Sequence, residues 1–244
     1  MALLPLDVAQ TSIEQVRSRL AADGACWLTG FDAATPDTLL EWAEHLGSWD
    51  LGIAEELLGP RIMHLRYDPE KVQLARQPAY FTSDEFPLHT DVSYVPNPPG
   101  LMLMHCVRPD PAGGGQVLLA DCSEAQRMLP GAVLTNLQLP AFRFLYPPAC
   151  PEGASAPAAI LEQRRWRFKF ACMEFAAEHA PAVNAFYQAL LAVCETVMLQ
   201  AGDLLIVDNH RMAHGRSAFG VSGAAKHGPQ TGRHIMRCYV NASA

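Results

Sequence analysis

The stretch Phe86-Pro87-Leu88-His89-Thr90-Asp91-Val92-Ser93-Tyr94 decides how the rest of the chain is read. Its apolar flanks predict a strand from Phe86 to Val92. Side chains along a strand repeat every second residue, so the His89 imidazole and the Asp91 carboxylate are expected on one face. Two metal ligands then point at one position. A third is available far downstream at His214, in Asp208-Asn209-His210-Arg211-Met212-Ala213-His214-Gly215-Arg216. Two histidines and one carboxylate with open positions form the facial arrangement suited to non-haem iron(II) and oxygen chemistry.

Alone, a His-x-Asp pair is weak evidence, because a histidine on an apolar strand is more often a hydrogen-bonded core residue. The order of the groups carries more. His214 follows directly after an expected strand at Leu204 to Val207, and Arg233-His234-Ile235-Met236-Arg237 lies on the last expected strand. Residues four apart on a strand share a face, so Arg233 and Arg237 can both point inward.

Working outward, short apolar runs broken by turn residues predict further strands at Leu101 to Val107, Gln116 to Ala120, Trp166 to Phe170 and Ile235 to Val240. Before them lie two amphipathic helices. The first opens on the capping-box pattern Thr11-Ser12-Ile13-Glu14, continues through Ile13, Val16 and Leu20, and stops at Gly24. The second has Thr35 as cap, Pro36 at its first position, a stripe of Leu39, Trp42, Ala43 and Leu46, and Gly47 as terminator. The run Ala25 to Phe31 between them is a strand candidate. A longer helix is expected from Pro181 to Leu199, with Val183, Phe186, Leu190, Val193 and Val197 on one face. The fold class that results is mainly β with flanking helices, residues 1–244 forming a single domain.

Composition narrows the function. The 244 residues are half hydrophobic and 18% charged, a globular profile, with a formal net charge of -7. That charge argues against an extended contact with nucleic acid or an anionic membrane, which need a basic surface, and favours a small-molecule substrate. The N-terminus lacks the basic segment of a signal peptide, and no apolar run approaches the roughly 18 residues of a membrane span. Seven scattered cysteines, odd in number and never in a Cys-x-x-Cys pair, suggest reduced thiols in a cytoplasmic protein.

Taken together, Leu88-His89-Thr90-Asp91, Pro98-Pro99-Gly100, Met104-His105-Cys106 and Gly114-Gly115-Gln116-Val117-Leu118-Leu119-Ala120-Asp121 form a pattern continued by Gly202-Asp203-Leu204-Leu205, Asp208 to Arg211, His214-Gly215-Arg216 and Arg233-x-x-x-Arg237. From about Phe81 to Tyr239 the chain resembles the iron(II)- and 2-oxoglutarate-dependent dioxygenases that include taurine dioxygenase, γ-butyrobetaine hydroxylase and clavaminate synthase. The resemblance implies a double-stranded β-helix (jelly-roll) core with Fe(II), 2-oxoglutarate and O2 as cofactor and cosubstrates. It implies His89, Asp91 and His214 as metal ligands. It also implies Arg237 as the arginine on the distal carboxylate of 2-oxoglutarate, with Arg233 in support. A guanidinium suits that role because its planar donor fork fits a carboxylate in a bidentate manner. Where the family has Gly-Gly-x-Thr, this chain has Gly114-Gly115-Gln116-Val117, so a hydroxyl contact to the cosubstrate worth on the order of 1 kcal/mol is missing.

The resemblance further implies hydroxylation, desaturation or ring closure of a small polar metabolite, such as an amino acid or a derivative. Halogenation is disfavoured because halogenating relatives lack the carboxylate that Asp91 supplies. Two other classes remain open: a jelly-roll hydrolase or isomerase using zinc or another divalent metal, and a non-catalytic small-molecule binding protein. Ser83, Glu85 and Tyr94 are candidates for the substrate pocket, Glu85 being as well explained by a solvated turn. His105 and His234 read as core or rim histidines, and Arg216 as either a substrate contact or a strand brace. Arg165, Arg167 and Lys169 alternate with Trp166, Phe168 and Phe170, which reads as a half-buried strand with a solvated basic face, the other reading being a site for an anionic substrate. The Pro- and Gly-rich segments 146–157 and 220–232 are lid candidates or tolerated surface insertions.

Overall fold

The computed structural model describes residues 3–31, 35–53, 58–68, 82–146, 153–219 and 232–242. Most of the two lid candidates lies outside these residues. In chain order the strands are β1 (Leu6–Asp7), β2 (Ala25–Thr29), β3 (Gly47–Ser48), β4 (Met63–Arg66), β5 (Phe86–His89), β6 (Leu101–Arg108) and β7 (Val117–Asp121). They continue with β8 (Arg143–Phe144), β9 (Leu161–Glu162), β10 (Arg165–Trp166), β11 (Met173–Glu174), β12 (Glu195–Val197), β13 (Leu204–Asp208), β14 (Met212–Arg216) and β15 (His234–Ala242). The helices are α1 (Ile13–Asp23), α2 (Pro36–Glu44), α3 (Cys122–Arg127), α4 (Gly131–Leu137) and α5 (Ala180–Ala192).

Two sheets form the body. The larger has the order β1-β2-β13-β6-β15-β3, with β4 also paired to β15; the smaller has the order β12-β7-β14-β5. In the larger sheet alternate residues serve two cores. Leu101, Leu103, Leu204, Ile206, Met236, Cys238 and Val240 pack with Val16, Leu20, Leu39 and Ala43 of α1 and α2. Their neighbours Met102, Met104, Leu205, Val207, Ile235 and Tyr239 face the smaller sheet and join Val117, Leu119, Met212 and Phe186 of α5. Burial on both faces is why these strands read as unbroken apolar runs. The result is the two-sheet jelly roll expected from the sequence.

The local signals resolve with small corrections. The capping box is Ser12 with Gln15, one residue later than the pattern at Thr11: Ser12 N–H donates to Gln15 Oε1 at 2.7 Å and Gln15 N–H to Ser12 Oγ at 3.3 Å. Gly24 ends α1 in the left-handed region at φ 73°. Helix α2 ends at Glu44, so Gly47 belongs to β3 rather than acting as terminator. The long helix stops at Ala192, and Glu195-Thr196-Val197 instead forms β12 against β7. Two of those three residues are β-branched and fit a pleated surface better than a helix.

Of the expected strand at Trp166 to Phe170 only Trp166 is in a strand, as the second residue of β10. The segment's backbone is shared among several partners: Trp166 N–H donates to His210 O, Arg167 N–H to Ile160 O and Phe168 N–H to Thr90 Oγ1. Beyond the two-residue pairing of β10 with β9, no single strand among the described residues supplies a ladder there. The solvated basic face expected on it is also corrected, for Arg167 and Lys169 are only 4% and 7% exposed.

Candidate active site

The site is built where β5 and β14 run side by side. His89 and His214 are direct antiparallel partners, which places their side chains on one face a short distance apart. Their ring centroids are 4.5 Å apart. Gly215, between His214 and Arg216, is required by this pairing: a Cβ there would meet Phe86 O at 2.7 Å and Leu88 N at 3.1 Å.

Asp91 reaches the same place by a route the strand period does not describe. Strand β5 ends at His89, and the chain turns, with Val92 in the left-handed region at φ 56°. The turn is fixed by the fully buried Asn209. Its Oδ1 accepts from Asp91 N–H at 2.8 Å, and its Nδ2 donates to Asp91 O and Pro99 O, each at 3.0 Å. The Asp91 backbone is thus held on both sides by one amide.

Three side chains then converge. His89 Nε2 is 3.3 Å from Asp91 Oδ1, His214 Nε2 is 3.3 Å from Asp91 Oδ2, and one ligand atom from each residue lies within 4.8 Å of the others. His89 Nδ1–H donates to Pro87 O at 2.8 Å, which leaves the lone pair on Nε2 facing the centre. Two donors hold the carboxylate by the same oxygen: Tyr239 O–H donates to Asp91 Oδ2 at 2.7 Å, and Arg237 Nη1–H donates to that oxygen at 2.9 Å. Asp91 Oδ1 keeps no hydrogen-bond partner, and neither do His89 Nε2 and His214 Nε2, although all are buried. Orphaned buried polar atoms are costly and rare. Here they are one oxygen and two imidazole nitrogens aimed at one point, and this donor set fits a divalent transition metal.

Electrostatics prepare the ligands. Burial pushes the Asp91 carboxyl up, but Arg237 and the two histidines outweigh it and hold it well below the usual carboxylate range. His89 is pushed down to about 4 by burial and by His214, and so stays neutral. A deprotonated carboxylate and a neutral imidazole are the forms that ligate.

A cavity beside the triad is lined by Phe86, Val117, Arg216, Arg233 and Arg237. The arginines differ in their commitments. Arg237 spends Nη1 on Asp91 and Nη2 on Met63 Sδ at 3.1 Å. Arg216 donates Nη2 to Thr82 O and Asp84 O, bracing the segment before β5, and lies over the Phe219 ring at 4.6 Å. Arg233, 5% exposed, also lies over the Phe219 ring, 5.7 Å from its centroid, and its guanidinium makes no hydrogen bond or ion pair among the described residues. Burial pushes Arg216 to about 9, with Arg233 adding repulsion, and Arg233 to about 10.

Of the other expected residues, Ser83 is buried and linked through its carbonyl to Phe219 N–H, Glu85 is exposed as the solvated reading has it, and Tyr94 is buried against Tyr146. His105 is a buried core histidine at Asp203 O, and His234 pairs with His64 on β4. Asn209 and Tyr239 are functional residues that the sequence patterns above do not mark. Tyr239 had a usable signal, being two residues beyond Arg237 and therefore on the same strand face.

A jelly roll carrying two histidines and a carboxylate at one end of its smaller sheet defines a metal-binding class of protein. The chain belongs to the taurine catabolism dioxygenase TauD, TfdA family, whose model matches residues 3–139 and 158–239. It is 28% identical over 240 residues to gamma-butyrobetaine dioxygenase of Pseudomonas sp. (strain AK-1), covering 84% of this chain and 60% of that protein. The chain thus spans less than two thirds of that curated relative. Among solved structures it is similar to asparagine oxygenase in complex with Fe(II), 2S,3S-3-hydroxyasparagine and succinate: TM-score 0.76, 22% identity, 93% of this chain and 79% of that one. It also resembles the non-heme iron oxygenase OrfP with Fe and alpha-ketoglutaric acid: TM-score 0.70, 18% identity, 94% and 79% covered. These two likenesses show the fold.

Proposed function

We propose that the chain is an iron(II)- and 2-oxoglutarate-dependent oxygenase that hydroxylates, desaturates or cyclises a small polar metabolite, an amino acid or a derivative of one. The observation that carries this reading is the convergence of three buried, unpartnered ligand atoms, His89 Nε2, Asp91 Oδ1 and His214 Nε2, in a member of this family. The names of the relatives support the amino-acid class: a betaine, asparagine, and (3S)-hydroxy-L-Arg in a complex of the non-heme iron oxygenase OrfP. Iron(II) bound with 2-oxoglutarate supplies oxygen activation, coupled to decarboxylation of the cosubstrate to succinate and carbon dioxide.

The chain's own residues do the positioning. Tyr239 and Arg237 orient the Asp91 carboxylate, and Pro87 O sets the His89 tautomer. For the cosubstrate, both Arg233 and Arg237 stay in the assignment, but their weights exchange. The distal carboxylate goes to Arg233, whose donor fork is uncommitted, while Arg237 serves the near end through Asp91. Arg216 sits directly across the ladder from Val117 and adds a second positive charge where the family threonine is absent. The described cysteines are free thiols, several of them buried, which supports a cytoplasmic setting, and no helix of the described residues is long and apolar enough to cross a membrane.

The test is substrate-stimulated succinate formation by the purified chain with iron(II) and 2-oxoglutarate, screened across amino acids and small organic acids. Oxygen-dependent succinate matched by oxidised product is expected. Turnover that persists without oxygen, or that zinc supports equally, would replace the oxygenase reading with a hydrolase or isomerase.

A further inference from the structure

Arg165 and Arg167 stand on the same short segment and meet different surroundings. Arg165 is spent at the surface: Nη1 donates to Asn97 Oδ1 at 3.0 Å and Nη2 lies 3.6 Å from Glu162. Arg167 is almost wholly buried. Its Nε donates to Ser93 O at 3.0 Å, and its guanidinium lies over the Phe144 ring at 4.7 Å. Nη1 and Nη2 have no acceptor among the described residues. The opposite charge that acts on Arg167 is Glu162, already bridged to Arg165.

A buried guanidinium without its own counter-ion is unfavourable unless something supplies one. What Arg167 faces is a groove of about 720 Å³, within the range of ligand sites, whose walls include Tyr94, Tyr146, Pro140 and Pro157. Tyr94 and Tyr146 meet edge to face with centroids 6.1 Å apart. The groove shares no lining residue with the cavity beside His89 and His214. Pinned at Nε and stacked on Phe144, the Arg167 fork is pre-organised, and a planar fork of donors matches a carboxylate.

We propose that this groove is a binding site for an organic carboxylate with an apolar or aromatic body, the carboxylate held by Arg167 Nη1 and Nη2 and the body lying against the wall that the paired rings of Tyr94 and Tyr146 form. The site is independent of the oxygenase reading, because none of its residues belongs to the triad.

The test uses the full chain without iron or 2-oxoglutarate. Phenylacetate and 3-phenylpropionate are titrated by calorimetry against their carboxamides. The carboxylates are expected to bind at least tenfold more tightly than the amides. Arg167→Gln should remove that preference, while Arg127→Gln, on an exposed side chain that does not line the groove, should leave the affinities within about twofold. Equal binding of acid and amide, or full carboxylate affinity in Arg167→Gln, overturns the proposal. If Arg167→Gln does not fold, Arg167→Lys carries the test: it keeps the charge without the fork, so a tenfold loss supports the forked contact and undiminished affinity overturns it. Adding iron, 2-oxoglutarate and oxygen then tells the two sources of such a ligand apart, since a bound acid that is consumed is the organic substrate and one that persists is a separate ligand. Succinate formation failing in that arm would show that these acids are not the organic substrate, and would leave both the calorimetric result and the oxygenase reading standing.

Discussion

Gly115 lies flat against Arg233. A Cβ on Gly115 would sit 2.5 Å from Arg233 Cδ and 2.7 Å from Nε, and the residue has φ 71°. The glycine therefore gives the arginine its course into the cavity beside the triad. Gly115→Ala should cost about 1 kcal/mol in backbone strain alone and more from displacing Arg233. A melting temperature lowered by several degrees is expected, together with 2-oxoglutarate affinity at least tenfold weaker. Unchanged cosubstrate affinity would show that Arg233 is not guided by this contact.

Arg233 and Arg237 should separate in binding experiments. Arg233→Gln is expected to weaken 2-oxoglutarate at least tenfold while leaving iron(II) affinity within about threefold. Arg237→Gln removes a charged donor from Asp91 and should weaken the metal first. Anaerobic titrations of iron and then cosubstrate, followed by the charge-transfer absorption of the chelate, distinguish them. The opposite ordering would return the distal carboxylate to Arg237.

Tyr239→Phe deletes one hydrogen bond to a buried carboxylate and little else of its volume. Loss of such a partner outside the ligand set typically costs 10–100-fold in metal affinity. Iron affinity weakened about tenfold, with the fold retained by circular dichroism, is the expected outcome.

Asn209→Ala should be the most disruptive change. It strips three buried hydrogen bonds from the turn that carries Asp91 and leaves Asp91 N–H, Asp91 O and Pro99 O unpaired. Each orphaned group costs about 1–3 kcal/mol. A destabilisation of roughly 3 kcal/mol or more in denaturant unfolding is expected, with metal binding lost at the same time.

A pH effect is expected away from the triad. His234 is half-buried, accepts or donates a hydrogen bond with His64 at 2.9 Å, and is pushed down to about 4 by burial and by the positive surroundings of His64, Arg66, Arg108 and His105. The folded state thus prefers the neutral ring, and between about pH 6.5 and 4 the unfolded chain binds the extra proton. Stability should fall as pH is lowered through that window. Partial exposure reduces the effect to about 1 kcal/mol. His234→Phe should flatten the melting temperature against pH there, and an unchanged slope would assign the acid sensitivity elsewhere.

Most strand positions are readable because the larger sheet is buried on both faces, which writes its strands as apolar runs such as Leu101 to Val107; the jelly roll itself is implied by the family resemblance. His89, Asp91 and His214 were readable as a set from their order, and they do come together. The reason first given for Asp91, strand alternation, is not the one that operates. A turn set by Asn209 does the work, and a contact between residues 91 and 209 has no local signature. Helices α3 and α4 escaped notice because, at 6 and 7 residues, they are too short to show a helical period. The burial of Arg167 is not legible in the sequence, because alternation tells which residues share a side of a strand and says nothing about what covers that side.

Among the described residues strand β5 stands at the edge of the smaller sheet, with β14 as its ladder partner, and the register between them shifts after His214. An edge strand of four residues on an irregular ladder belongs to the part of a fold that opens most readily. Yet it carries His89. A metal held by His89 and His214 would act as a rivet joining this margin to the interior, so that occupancy and local opening become two sides of one equilibrium. Chelation should then speed amide hydrogen exchange at Leu88 and His89 while leaving the centre of β6 and β13 protected, and the edge of the sheet would report the state of the metal before any turnover is measured.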